Sequence, residues 1–252
     1  HQIPEIAMDL PGTADYIRRR LDEMGIPWKN CGGDLPEKVT KDFVEAGFPR
    51  MERAVGITAV IGHGSPCILL RADMDALPIR EDNDLDFKSE NGWGHMCGHD
   101  SHVAMLLGAA QILKEREDSL KGTVKLVFQP GEETGAGARV LVENGLLENP
   151  KVDAAFGIHV QSVTKTGELG YAVGVNSASL DTFIVKIKGS GGHSSQPQLC
   201  IVPLMIMNQI YQAVNLLATR EADPAATVAL TCGVAKGGTA ANIIRDEAEL
   251  HI

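Results

Sequence analysis

Residues 67–78, CILLRADMDALP, carry an apolar run straight into two aspartates and then a proline. A short apolar segment bounded by turn formers reads as a β-strand, which leaves Asp73 and Asp75 just beyond its C-terminal end. Two further segments repeat the arrangement. TVKLVF (123–128) leads into QPGEE, with Glu132 and Glu133, and DAAFGI (153–158) leads into His159. Helical patterns lie between them: Val103, Leu106, Leu107, Ala110 and Leu113 follow the stripe of an amphipathic helix, and GARVLVENG is a shorter helix closed by Gly145. Strand, helix, strand, helix, strand is the alternation of an α/β fold whose mixed, largely parallel sheet is flanked by helices. Such sheets bind ligands at the carboxyl ends of their strands. The ionisable side chains of three separate segments are therefore expected to meet at one sheet edge.

Upstream, TADYIRRRLDEMGI is an amphipathic helix with apolar Tyr16, Ile17, Leu21 and Met24 and a glycine stop. Beyond GVNSAS the character changes. DTFIVKIKGSGGHSSQP reads as an alternating strand with a glycine-rich loop, PLMIMNQIYQAVNLLATR as a proline-started helix, and ATVALTCGVAKGG as strand again. The expected organisation is a metal-binding catalytic domain over 1–178 and a smaller α+β unit over 179–252. The chain opens on His1 and closes inside the alternating EAELHI. Both ends are expected to be cuts within a longer polypeptide.

Thirty-three acidic against 23 basic residues give a net charge of −10, which argues against nucleic acid and anionic membrane surfaces as partners and favours small molecules. No apolar run approaches the length of a membrane helix. Five scattered cysteines fit a reducing compartment better than a disulfide framework, so the cytoplasm is the expected location.

The densest chemistry lies in GWGHMCGHDSHVAML (92–106). A lone histidine beside a helix start is ordinarily a cap or a buried hydrogen-bonded group. Here Cys97 and His99 stand two apart, where a looping backbone turns both toward one point, and a thiolate with an imidazole suits zinc, manganese, cobalt or nickel. A closed structural zinc site would bring paired cysteines, and Cys67 stands alone. Glu132 and Glu133 would repel each other at a strand end unless a cation sat beside them. Consecutive side chains of extended backbone point to opposite sides, so one can ligate a metal while its neighbour takes a proton from an activated water. His159 also has an ordinary reading as a core histidine. Asp73, Asp75 and Asp100 are candidates for orienting ligand imidazoles or neutralising local charge. His1, His63 and His251 carry no such pattern.

Taken together, RADMDALPI, GHMCGHDSHVAMLLGAA, FQPGEETGAGA, GIHV and GGHSSQP, with the opening HQIPE, resemble the M20 metallopeptidases. Within them they resemble the amidohydrolase subgroup of aminoacylase-like, hippurate hydrolase and auxin-conjugate hydrolase enzymes. The resemblance implies that Cys97, His99, Glu133 and His159 hold two divalent metal ions per subunit, with Glu132 as general base. It implies that the segment from about Ser179 is an inserted lid and dimerisation domain, and that His193 and Asn242 reach substrate near a dimer-related active site, His193 helping to stabilise the oxyanion. The expected activity is hydrolysis of the amide bond of N-acyl amino acids by a metal-activated water. Alternatives are a carboxypeptidase or dipeptidase with the same centre, or an inactive binding and assembly module.

The chain also departs from that pattern. The family supplies a further metal-binding histidine after the lid, and this chain stops inside it, so as written it is expected to be a poor enzyme with an incomplete lid. Arg245 stands where proline is common, and KNCGGDLPEKVTKDFVEAGFPRME (29–52) is longer than the usual linker. A homodimer is expected through the lid, whose helix carries an apolar stripe at Leu204, Met207, Ile210, Tyr211, Val214 and Leu217.

Overall fold

The computed structural model describes residues 1–175, 177–223 and 225–252, and they form two compact units, His1–Leu169 and Gly170–Ile252. In the first, α1 (Pro11–Glu23) starts on a proline, whose fixed φ suits the first helical turn. It is followed by β1 (Trp28–Asp34), α2 (Glu37–Glu45), β2 (Arg53–Gly62) and β3 (Cys67–Asp73). Next come α3 (His99–Glu115), β4 (Thr123–Gln129), α4 (Gly137–Glu143) and β5 (Ala154–Gly157).

The five strands form one sheet in the order β1-β2-β4-β3-β5. β3 pairs in parallel with both β4 and β5, whereas β1–β2 and β2–β4 are antiparallel. The sheet is therefore mixed, and its antiparallel half comes from a region the sequence pattern did not mark as strand. Residues 29–52, read as a long linker, supply most of β1 and all of α2. β1 is rich in polar residues and glycine, so neither alternation nor an apolar run betrays it. The segment is anchored: Leu35, Phe43 and Met51 are buried in one cluster with Met8, Ala54 and Val140.

Two faces of the sheet are covered. Leu10, Ala14, Ile17 and Leu21 around α1 and Val103, Leu106, Leu107 and Ala110 of α3 pack with Ile57, Ile61, Leu126 and Phe128 of the sheet. Another cluster joins Leu69 and Val127 to Leu141 of α4 and Leu146. Burying side chains the size of Leu126 or Phe128 contributes about 1.5–3 kcal/mol each. What this core positions is the level ending of β3 and β4: Asp73 pairs with Gln129 in register, and the Met74 N–H donates to the Gln129 carbonyl at 3.0 Å. Residues 73–75 and 130–133 consequently leave the sheet side by side.

In the second unit β6 (Ile184–Lys188), β10 (Glu247–His251) and β8 (Val234–Gly237) form an antiparallel sheet in that order. α5 (Pro203–Arg220) packs on it. A small ribbon joins β7 (Gly192–His193) to β9 (Ile243–Ile244). Within this unit Ile187, Val214, Ala248 and Leu250 are buried, while Leu204, Tyr211 and Leu217 of the α5 stripe are exposed. Among the described residues no helix is long and apolar enough to cross a membrane.

One buried charge in the first unit is tied to the fold. The ammonium of Lys125 on β4 is almost fully buried and donates to the carbonyls of Leu146, Glu148 and Pro150 at 2.9, 2.7 and 3.1 Å. Burial pulls its pKa down, and three carbonyl dipoles keep the charge tolerable. Lys125→Met keeps the aliphatic stem but strands three acceptors. Urea unfolding should show a loss of about 2–4 kcal/mol; a loss below about 1 kcal/mol would mean the loop re-pairs its carbonyls without the lysine.

Candidate metal centre

Asp75, buried just past β3, organises the site. Its Oδ1 accepts the Glu132 N–H at 3.0 Å and its Oδ2 the Glu133 N–H at 3.1 Å. One carboxylate thus fixes the backbone of both glutamates. The turn that presents them depends on Gly131 at φ +63, where a Cβ would meet the Met8 sulfur at 2.5 Å. The backbone carbonyl of Asp75 accepts the Nδ1–H of His99 at 2.9 Å. That bond leaves Nε2 of His99 as the lone-pair nitrogen, facing Glu132 and Glu133 at 3.8 Å each and Asp73 at 3.6 Å.

The opposite wall comes from β5 and the loop before α3. Cys97 Sγ lies 3.3 Å from His159 Nε2, and His159 Nδ1 donates to the Val160 carbonyl at 2.6 Å, so its Nε2 also faces inward as an acceptor. Cys97, His99 and His159 each offer a ligand atom within 4.8 Å of the others; so do His99, Glu132 and Glu133, with His99 common to both groups. The structure brings together all four residues the family resemblance named as ligands, with Glu132 beside them.

These donors suit divalent cations. His99 Nε2 and Glu133 Oε1 are buried with no hydrogen-bond partner among the described residues, a condition that costs free energy unless an ion completes it. Sulfur, imidazole nitrogen and carboxylate oxygen together favour a borderline transition metal over calcium or magnesium. Asp73, Asp75, Glu132 and Glu133 concentrate negative charge around His99. Burial raises the pKa of Glu133, and burial together with Glu133 and Glu132 pushes the Cys97 thiol up to about 11. Burial pulls His99 down, yet Asp75, Asp73 and Glu133 outweigh it and hold its pKa above the usual value. The two glutamates differ in exposure: the Glu132 side chain is 39% accessible and that of Glu133 22%. Glu133 is the more enclosed donor, and Glu132 is open to a water or a leaving group.

Other candidates sit elsewhere. Asp100 turns away from the ligand imidazoles and accepts from His1 Nδ1 at 2.7 Å. His1, to which the sequence assigned nothing, also reaches Glu81 at 2.9 Å. The Ser89 N–H and His1 hold the Glu81 carboxyl down at about 2. His193 and Asn242 belong to the second unit, where β7–β9 pairing sets them on a cleft of about 630 Å³ with Arg245 and Asp246. His193 Nδ1 lies 2.8 Å from Ser195 Oγ. His102, not singled out by its sequence context, is buried with Nδ1 on Asp73 Oδ1 at 2.5 Å. Helical spacing was the available signal, since residues three apart share a face and His99 is three before it.

The sequence profile of peptidase family M20/M25/M40 matches residues 69–249, and the chain belongs to that family. It is 40% identical over 248 residues to the IAA-amino acid hydrolase ILR1-like 5 of Arabidopsis thaliana, covering 98% of this chain and 52% of the relative. It is 36% identical over 248 residues to N-acetyl-L-cysteine deacetylase of Bacillus subtilis, covering 98% and 55%. It is 40% identical over 260 residues to thermostable carboxypeptidase 2 of Saccharolobus solfataricus, covering 100% and 60%. Among solved structures, a dinuclear metal binding peptidase of the M20 family from Bacillus subtilis matches with a TM-score of 0.59 at 30% identity, over 100% of this chain and 60% of that one. The chain spans little more than half the length of the relatives it matches.

Metal uptake should depend on pH in a defined sense. A bound ion requires Cys97 as thiolate and His99 unprotonated at Nε2, so protons compete with metal. With the thiol at about 11, Cys97 is protonated throughout the neutral range in the metal-free protein. Affinity should then rise at least about tenfold per pH unit between about pH 6 and 8, with release of one proton from the thiol and, at the acid end where His99 is protonated, part of a second from its ring. Calorimetry of zinc binding in two buffers of different ionisation enthalpy counts the protons released. Affinity independent of pH would remove Cys97 from the ligand set.

Proposed function

We propose that this chain carries the metal centre of a hydrolase that cleaves the amide bond of N-acylated amino acids. The observation that carries the reading is the convergence of His99 Nε2, Glu133 Oε1 and the Cys97–His159 pair around buried, unpartnered donor atoms at the carboxyl end of β3 and β4. Cys97, His99, Glu133 and His159 are the residues that would hold two divalent ions. Ions bound there would supply Lewis acidity toward the scissile carbonyl and make a nearby water more acidic. Glu132 takes the proton of the attacking water on its carboxylate and returns it to the leaving amine nitrogen. Its backbone, pinned by Asp75, keeps that carboxylate beside the donors.

Support for the substrate class comes from relatives named IAA-amino acid hydrolase and N-acetyl-L-cysteine deacetylase. In the same reading, His193 and Asn242 contact substrate, His193 donates to the developing oxyanion, and residues 179–252 form a lid through which two copies associate. Five free cysteines are compatible with a cytoplasmic location.

Glu132→Gln is isosteric and should lower turnover of N-acetyl amino acids by about 10²–10⁴-fold. Metal content by elemental analysis should stay at the parent level, because the more exposed glutamate is not a ligand. Parent-level turnover in that variant would overturn the assignment of the base. A panel of N-acetyl and N-benzoyl amino acids against free dipeptides tests the substrate class, and preference for dipeptides would overturn it.

A further inference from the structure

His102 is the buried histidine of the site that the proposed chemistry does not use. Together with Asp73 and His99 it could be drawn as a third metal-binding group, since the three offer ligand atoms within 4.8 Å. Its hydrogen bonds exclude that. The Val160 N–H donates to His102 Nε2 at 2.9 Å, and a backbone N–H only donates, so that nitrogen's lone pair is occupied. The ring proton must then sit on Nδ1, which faces Asp73 Oδ1 at 2.5 Å. Asp73 is in turn held by Arg71, whose Nη1 lies 2.7 Å from Oδ2, and Arg71 Nε donates to Gln129 at 2.9 Å. Both nitrogens of His102 are committed to protein, and the ring is fixed from β3 and β4.

What this fixed ring grips is the residue after His159. β5 has only four residues and pairs with β3 alone among the described strands, so His159, two positions beyond its last residue, receives no ladder hydrogen bond to orient it. Three contacts replace the ladder. The first is the Val160 N–H on His102. The second is the His159 ring set edge-on to the His102 ring, with centroids 4.6 Å apart. The third is Val160 against Gly98, where φ is +90 and a Cβ would meet Val160 Cγ2 at 2.5 Å. All three join the loop after β5 to the start of α3 and the residues just before it, where His99 and Cys97 lie.

We propose that His102 is a positioning residue that couples the two walls of the centre: by clamping the Val160 amide it sets the angle at which His159 faces Cys97, without ligating metal itself. The inference rests on the metal-centre reading above. Outer groups of this kind commonly change metal affinity by about 10–100-fold when removed.

A pair of substitutions separates this role from mere packing. His102→Asn places an amide where Nδ1 stands and retains a partner for Asp73 but is too short to accept from Val160. His102→Gln reaches the position of Nε2 with an acceptor oxygen and releases Asp73. Cobalt(II) titration, followed by the visible absorption of thiolate-ligated cobalt, should show His102→Asn weakened about 10–100-fold for the ion held through His159. His102→Gln should recover to within a few-fold of the parent. Thermal melting of the metal-free variants measures any general loss of structure. Parent-like cobalt affinity in His102→Asn, or equal loss in both variants, would overturn the proposal. If the unsubstituted protein takes up no cobalt, the metal-centre reading itself falls, and this inference with it.

Discussion

The carboxylate of Asp75 accepts two consecutive backbone amides while the carbonyl of the same residue accepts the ring N–H of His99. A buried carboxylate is tolerated only when donors surround it, and here the donors are the backbone of the very residues whose side chains must be aimed. The bond therefore works in both directions. It makes the buried aspartate acceptable, and it holds Glu132 and Glu133 in a turn that their mutual repulsion would otherwise open. The level ends of β3 and β4 are what allow one side chain to reach both amides, so a slip of β4 relative to β3 would carry Glu132 and Glu133 together away from Asp75 and His99.

The parts of this arrangement that were legible in the sequence are those set by local pattern. β3, β4 and α3 announce themselves by apolar runs and helical spacing, and acids or histidines at three strand ends imply a shared edge before any contact is known. α5 likewise follows its proline start. Local pattern failed where tertiary packing selects the conformation. β1 carries Lys29, Asn30, Gly32, Gly33 and Asp34 and becomes a strand because β2 offers it an edge and α4 covers it. β2 differs: RAVGITAVIG is an apolar, β-branched run that local pattern does carry, and only its antiparallel pairing is set by the tertiary fold.

The site divides along the same line. Cys97, His99, Glu132, Glu133 and His159 stand out as chemically dense motifs, and the fold of the first unit brings them together. Asp100 belongs to the same motif yet faces elsewhere, because consecutive residues of a helix lie about 100° apart and His99 takes the inward direction. His1 and Glu81 meet across 80 positions, a separation no local pattern records. His193 and Asn242 sit within reach of one another only because β7 and β9 pair, and their sequence separation hides it.

The high pKa of Cys97 also bears on its survival in an oxidising moment. Peroxides and alkylating agents attack the thiolate, and a thiol near 11 is ionised to only roughly one part in ten thousand at neutral pH. Burial, reinforced by Glu133 and Glu132, thus acts as a chemical guard that holds the Cys97 sulfur in its unreactive form. The same carboxylates that would attract a cation add to the burial that keeps this sulfur from oxidation.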